Sequence, residues 1–422
     1  MMFIMMKQNP LSVLFLTIFL DMLGVGILIP VMPLLFTNPH SSHYLLGAGL
    51  APSFGYILLG LTIALYSFGQ FIAAPIIGQF SDKFGRKRML IFTVVGSMCA
   101  HALFAIALSW KAIPLLLFAR LVGGVSGGNI VVAQAAIADI SKPEDRVKNF
   151  GLIGAAFGLG FVVGPFLGGR LADPTLVSWF NATTPFWFAA GLSLVNAILV
   201  VRNLKETNVH VSHSLHIDWS RALKNIRHAL SLKELRPLFI TNFLYQMGFA
   251  FYTTFAAVYF FARFGFTEAM LGNYFAYVGV WIVISQAVLT RLAAKHFTSQ
   301  TILKSSLFWT GLLILLIVLL PRPFWLLLST PFFAAVIGLS QANLTALISR
   351  SAGANIQGEV LGINGSVQAF AMMIPPLVSG VLVAATEPAA SLVVAGMLTI
   401  GAGVYFVNHM KRENRDSTRR NK

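Results

Sequence analysis

Charge is what this chain has least of. Only 10% of its 422 residues are Asp, Glu, Lys or Arg, against about a quarter in a soluble domain. Acid is the scarcer sign, with 14 Asp+Glu beside 30 Lys+Arg. A single cysteine, Cys99, excludes an internal disulfide framework and any thiolate metal site. No nucleophile–base pair, metal cluster or phosphate loop falls within the long apolar runs, which argues against an enzyme. What is present is apolar: 57% of residues, with a mean hydropathy of +0.77. That composition excludes a soluble enzyme, a disordered chain and a nucleic-acid binder. The net charge of +16 therefore asks for a topological explanation, not a phosphate-rich partner.

A hydrocarbon core of about 30 Å needs about 20 apolar residues in a helix. Twelve stretches qualify: 12–36, 56–80, 89–109, 112–138, 149–171, 184–201, 237–262, 269–292, 302–320, 324–348, 358–384 and 389–407. They are predicted helices because lipid offers no partner to an open strand edge. An even number puts both termini on one side. With basic residues within a few positions of a span end counted to the adjoining side, 25 of the 30 fall on that side, four (Lys111, Arg170, Arg263 and Arg322) on the other, and Arg120 well inside a span. Loops rich in Lys and Arg stay in the cytoplasm, so both termini are predicted to be cytoplasmic. The first apolar stretch is long and carries no small-residue cleavage site, and it reads as a retained span.

The longest loop, 202–236, falls midway and divides the chain into six spans plus six. Gly151, Pro165 and Gly169 of the fifth span recur 211 residues later as Gly362, Pro376 and Gly380 of the eleventh. Half of 422 is 211, the offset that duplication of a six-helix unit would leave. Two such halves form one of the architectures built for alternating access. The expected organisation is an all-α membrane protein with bundles at 1–201 and 237–407, a cytoplasmic linker at 202–236 and a basic tail at 408–422.

The second and third spans are joined by Gly78-Gln79-Phe80-Ser81-Asp82-Lys83-Phe84-Gly85-Arg86-Lys87-Arg88. Gly85 permits a sharp reversal, Gly78 allows close helix approach, and Asp82 is placed to meet a helix N-terminus. This ordered combination resembles the signature loop of the major facilitator superfamily. Leu20 through Gly26, with Pro30 and Pro33, resembles the first-span motif of its drug/proton antiporter branch. Arg120 through Asp139 resembles the fourth-span motif, and Gly154, Gly158, Gly160, Gly164-Pro165 and Gly168-Gly169 resemble the antiporter motif of the fifth span. The run 20–169 is most similar to tetracycline-efflux pumps. It departs from them at Ala100, where they carry an aspartate; His101, one residue along, points about 100° away.

Asp21 is the only carboxylate well inside an apolar span. Burying one at the midplane costs at least ~2.5–3.5 kcal/mol, so it faces a cavity or a partner. Burial disfavours its charged form and a nearby cation favours it, a competition that suits a proton carrier. The alternative is a structural hydrogen bond or ion pair. Arg120 is the intramembrane cation, to which the resemblance gives a role in proton coupling; snorkelling to the membrane edge is its other reading. Gln134 lies near the Arg120 face of the helix, and Asn129 opposite. The resemblance implies a cytoplasmic gate of Gly78, Asp82, Gly85, Arg86 and Asp139. In it Asp139 pairs with Arg86, and Asp82 caps the eleventh span near Gly358. It also implies that Gly154, Gly158, Gly164 and Pro165 seal the fifth span.

In the second half, Asn242, Tyr245, Gln246, Phe249 and Thr253 share one helix face. Gln341 with Thr345, and Asn364 with Gln368, pair at i+4, as Tyr66 and Gln70 do in the second span. These are candidate cavity residues, or amides that bond neighbouring helices. His210, His213 and His216 sit in the polar loop without acidic or Cys support and read as solvated linker. The resemblance implies a bacterial inner-membrane antiporter, functional as a monomer, that uses the proton-motive force and no cofactor. It would export a small amphipathic organic compound, multidrug or tetracycline-like, in exchange for protons. Export of an endogenous metabolite such as a siderophore, or a non-transporting sensor on the same fold, are the alternatives.

Overall fold

The computed structural model describes residues 10–39, 44–47, 50–141, 146–208, 217–351 and 357–420. Every regular element among them is helical. In chain order the helices are α1 Pro10–Thr37, α2 Pro52–Phe84, α3 Arg86–Ser109, α4 Ile113–Ser126, α5 Asn129–Ile140, α6 Arg146–Leu171 and α7 Thr184–Asn203. They continue with α8 Arg221–Ser231, α9 Arg236–Phe264, α10 Glu268–Ile284, α11 Thr290–His296, α12 Ser299–Leu319, α13 Pro323–Ser351, α14 Gln357–Ala385 and α15 Pro388–Arg420.

Among the described residues, eleven spans are long and apolar enough to cross a bilayer, counting α4–α5 as Ile113–Ile140 and α10–α11 as Glu268–His296. The seventh predicted span is the 29-residue helix α9. It has the length but not the apolarity, because Asn242, Tyr245, Gln246, Tyr252, Thr253 and Thr254 dilute it. Several spans begin on proline within their first turn, as at Pro52, Pro114 and Pro185, where the missing N–H has no helical partner to lose. Large apolar side chains such as Phe92, Phe118, Val381 and Met397 are more than half exposed on these helices, as a lipid-facing surface requires. Trp110, Trp179 and Trp325 are exposed at or beside span ends, where amphipathic rings favour the interface.

Two predicted spans are not single straight helices. The fourth breaks at Gly127–Gly128, where Gly127 N–H is shared between Gly123 O (2.9 Å) and Gly124 O (3.1 Å) and Gly128 N–H turns to Val125 O (3.4 Å). The eighth contains a π-helical turn, Ser285–Leu289. There Ser285 Oγ donates to Ala335 O at 2.7 Å, and a side chain on Gly338 would strike Ser285. π-Turns of this kind recur at functional sites.

The chain separates into two compact units: 1–222 with 265–279, and 223–264 with 280–422. The first is built on Val13, Leu14, Ile18 and Met22 of α1, packed with Ile77, Leu90, Val132, Ala136, Ala156 and Val200. The second is built on Phe239 and Tyr245 of α9 with Leu303, Leu307, Leu344, Ile363, Val367 and Phe406.

Candidate functional site

Asp21 sits midway along α1. Its Oδ1 accepts a hydrogen bond from Asn129 Nδ2 at 2.7 Å. Its Oδ2 is buried and has no partner among the described residues, and the same holds for Asn129 Oδ1. Asn129 opens α5 immediately after the glycine break and is 1% exposed. Sequence reasoning singled out Gln134, on the Arg120 side of the helix; the partner lies on the opposite side. Gln134 itself is half-buried.

Arg120 turns toward α2. Its guanidinium lies over the Tyr66 ring, 4.6 Å from the centroid, and Nε approaches Thr62 O at 3.4 Å. Among the described residues Arg120 and Asp21 form no direct ion pair. Helices α2 and α4 come close enough for this because Gly69, Gly124 and Gly127 leave no side chain between them; a Cβ on Gly124 would strike Tyr66 O. Gln70 Nε2 donates to Gly127 O at 3.3 Å and pins the break. His101, on α3, packs its ring on Gly24 of α1, with 3.1 Å from the position of a Cβ there to Cε1. Ala100 faces Gly123 instead, so the imidazole and the Ala100 position serve different neighbours.

The glycines of α6 have two uses. Gly160 packs on Met22, Gly164 on Gly26 (2.7 Å from an added Cβ to its Cα) and Gly168 on the Ile27 carbonyl. The stretch of α1 carrying Asp21 thus lies directly on α6. On another face, Gly169 meets Glu268 and Ala269, while Gly272 meets the carbonyl of Pro165. Gly154 differs: an added Cβ would find nothing within 4 Å, so close packing does not account for it. Gly158 is half-buried.

The loop between α2 and α3 is held by one arginine and one unforeseen glutamate. Arg86 pairs with Asp82 at 2.5 Å and with Asp139 at 3.0 Å, and donates to Ser81 Oγ at 2.6 Å. Gly85 has φ 98°, a left-handed conformation that glycine adopts at little cost. Glu206, just beyond α7, accepts from the N–H groups of Arg86 (2.8 Å) and Lys87 (3.2 Å). Its carboxylate caps the start of α3, where unpaired donors and the helix dipole both favour an anion. A side chain on Gly85 would collide with it. Thr207 Oγ1 reaches Asp139 at 3.4 Å and Asn208 Nδ2 reaches Asp82 O at 3.0 Å. The sequence places this stretch in the linker 202–236 and gives it no part in the expected gate. Gly78 faces Val131, 3.4 Å from an added Cβ. The expected Asp82 contact at Gly358 and the His210, His213 and His216 triplet fall outside what is described.

In the second unit, Asn242 Nδ2 donates to Asn364 Oδ1 at 2.6 Å, tying α9 to α14. Tyr245 is 1% exposed, stacks on Phe249 at 6.4 Å, and its hydroxyl has no partner among the described residues. Gln246 is also buried. Thr253 bonds back to the Phe249 carbonyl. Gln341 and Gln368 are half-buried. Of this group, Tyr245 carries a buried polar atom still open to a ligand or water.

A bundle of long apolar spans, a buried membrane acid and a clamped loop on the basic side define a membrane carrier. The chain belongs to the Major Facilitator Superfamily, whose profile matches residues 14–376; members are transporters, not enzymes. It is 27% identical over 408 residues to the class C tetracycline resistance protein of Escherichia coli, covering 96% of each chain. It is 27% identical to multidrug resistance protein 2 of Bacillus subtilis (strain 168), covering 97% of each. Among solved structures it resembles the human organic anion transporter MFSD10, with a TM-score of 0.72, 23% identity and coverage of 95% of this chain and 99% of that one. That last likeness speaks to the fold.

Proposed function

We propose that this protein is a proton-coupled drug-efflux transporter of a bacterial inner membrane, exporting amphipathic organic compounds by alternating access. The observation that carries the coupling is Asp21: a carboxylate midway along an apolar span, with one oxygen bonded to Asn129 and the other buried without a partner among the described residues. Such an oxygen can accept a proton or hold a cationic substrate, and the two compete. Protonation from the outside releases the substrate; loss of the proton to the cytoplasm readies the site again. Each proton entering down a 100 mV potential supplies about 2.3 kcal/mol. No cofactor is required beyond the proton-motive force. The resistance proteins to which the chain is similar across nearly its whole length support organic drugs as cargo. The 25-to-4 distribution of basic residues supports cytoplasmic termini.

The test is transport by purified protein in proteoliposomes. A panel of tetracyclines, quinolones and lipophilic cations is screened by ligand-induced thermal shift, and hits are assayed under an imposed pH gradient. Accumulation that collapses with a protonophore supports the proposal. Accumulation indifferent to the gradient, or exchange coupled to another ion, overturns it.

A further inference from the structure

The linker contains a helix whose surface the transport cycle does not explain. In α8 (Arg221–Ser231), Ala222 and Ala229 are buried at 4% and 2% exposure, and Ile226 packs with Ala229 on the core of the second unit. Leu223 and Leu230 are left 65% and 52% exposed, and Trp219, in the turn just before the helix, 69%. At 100° per residue Leu223 and Leu230 fall about 20° apart, on one ridge. Arg227, Lys224, His228 and Arg221 follow round the same side of the helix, and no acid occurs between Trp219 and Lys233. The order round the helix is therefore protein-facing strip, bare apolar ridge, basic strip.

Covalent geometry limits how far α8 can lie from the bundle. Ser231 lies five residues before Arg236, where α9, the seventh predicted span, starts, so α8 ends within about 17 Å of the start of that helix. At its other end Asp218 exchanges two backbone bonds with the Gln79 side chain, at 2.8 and 3.2 Å, and Trp219 sets its ring edge-on to Phe80 near the end of α2. A helix at this level, with an apolar ridge beside three fixed positive charges, has the pattern of one lying in the headgroup layer. Opposite charge selects the lipid, because anionic headgroups concentrate on juxtamembrane Lys and Arg.

We propose that α8 is an in-plane membrane anchor: Leu223, Leu230 and Trp219 enter the acyl boundary, and Arg221, Lys224 and Arg227 bind anionic phospholipid headgroups.

The test uses the full chain with the exposed Cys99 replaced by serine. Single spin labels are placed at Leu223→Cys, Leu230→Cys and His228→Cys in nanodiscs of phosphatidylcholine with or without phosphatidylglycerol. Power saturation then compares access of oxygen with access of a water-soluble nickel chelate. Labels at 223 and 230 are expected to favour oxygen, and the label at 228 the chelate. The contrast should grow with phosphatidylglycerol and lose that growth in Arg221→Gln/Lys224→Gln/Arg227→Gln. High salt on the unneutralised protein should remove the same growth, a second arm that does not depend on the triple variant folding. Chelate access at 223 and 230 in both bilayers would overturn the proposal, as would protection from both reagents (a protein partner or second copy) or a contrast indifferent to phosphatidylglycerol.

Discussion

Asn129 donates a hydrogen bond of 2.7 Å to Asp21, and it does so from the first residue after the Gly127–Gly128 break. The acid is therefore positioned by an amide on a helix end, not by the arginine of the same span. Replacing Asn129 by Leu leaves both carboxyl oxygens without a described partner, at a cost of about 1–3 kcal/mol for a buried polar group. Gradient-driven transport by Asn129→Leu should fall about tenfold or more, with Asn129→Ser retaining an intermediate rate. Wild-type transport by the leucine variant would remove Asn129 from the account.

The fifth-span glycines separate into packed and unpacked. Gly164→Ala and Gly168→Ala place a methyl against the α1 backbone, overpacking that typically costs about 1–3 kcal/mol. Thermal unfolding of the detergent-solubilised protein should shift down by several degrees for both. Gly154→Ala meets nothing within 4 Å and should leave the midpoint unchanged. Equal effects at all three positions would contradict the assignment of contacts.

Glu206 and Arg86 hold one loop from two sides. Glu206→Gln keeps the shape but removes the charge at the α3 terminus, worth about 0.3–1 kcal/mol. Gly85→Ala forces a side chain into the carboxylate and into a left-handed backbone, about 1–2 kcal/mol. Asp82→Asn removes an ion pair to Arg86. All three should insert and express. Turnover should drop in each, with the largest stability loss in Gly85→Ala, read by thermal unfolding and vesicle transport side by side.

Tyr245 offers a test of ligand contact free of structural loss. Its hydroxyl has no protein partner among the described residues, so Tyr245→Phe loses no internal hydrogen bond and should unfold at no lower a temperature than wild type. If the hydroxyl serves substrate, the apparent affinity for transported compounds weakens while the stability holds. A destabilised Tyr245→Phe would show that the hydroxyl is engaged within the fold.

The helical character of the apolar spans and the loop motif were legible because apolar run length and glycine placement depend on local chemistry alone. The Arg86–Asp139 pair was legible through resemblance, and its 3.0 Å separation follows the motif. Asn129 was missed because angular arithmetic along a helix ranks residues by their relation to Arg120, whereas Asp21 approaches from another helix. Glu206 was missed for a similar reason: a glutamate in a polar loop has no periodic signature, and the vacant N–H groups it caps lie 120 residues away in α3. The seventh span shows the converse. Its polar face was read from sequence, and the same residues dilute its apolarity.

The central claim is tested most directly by Asp21→Asn, which keeps size and hydrogen bonding but cannot carry a proton. Purified variant and wild type are reconstituted together and assayed twice, once for accumulation under a pH gradient and once for substrate counterflow without one. The account predicts that gradient-driven accumulation disappears in the variant while wild-type protein accumulates substrate, with insertion and thermal unfolding unaltered. Undiminished uphill transport by Asp21→Asn would contradict it.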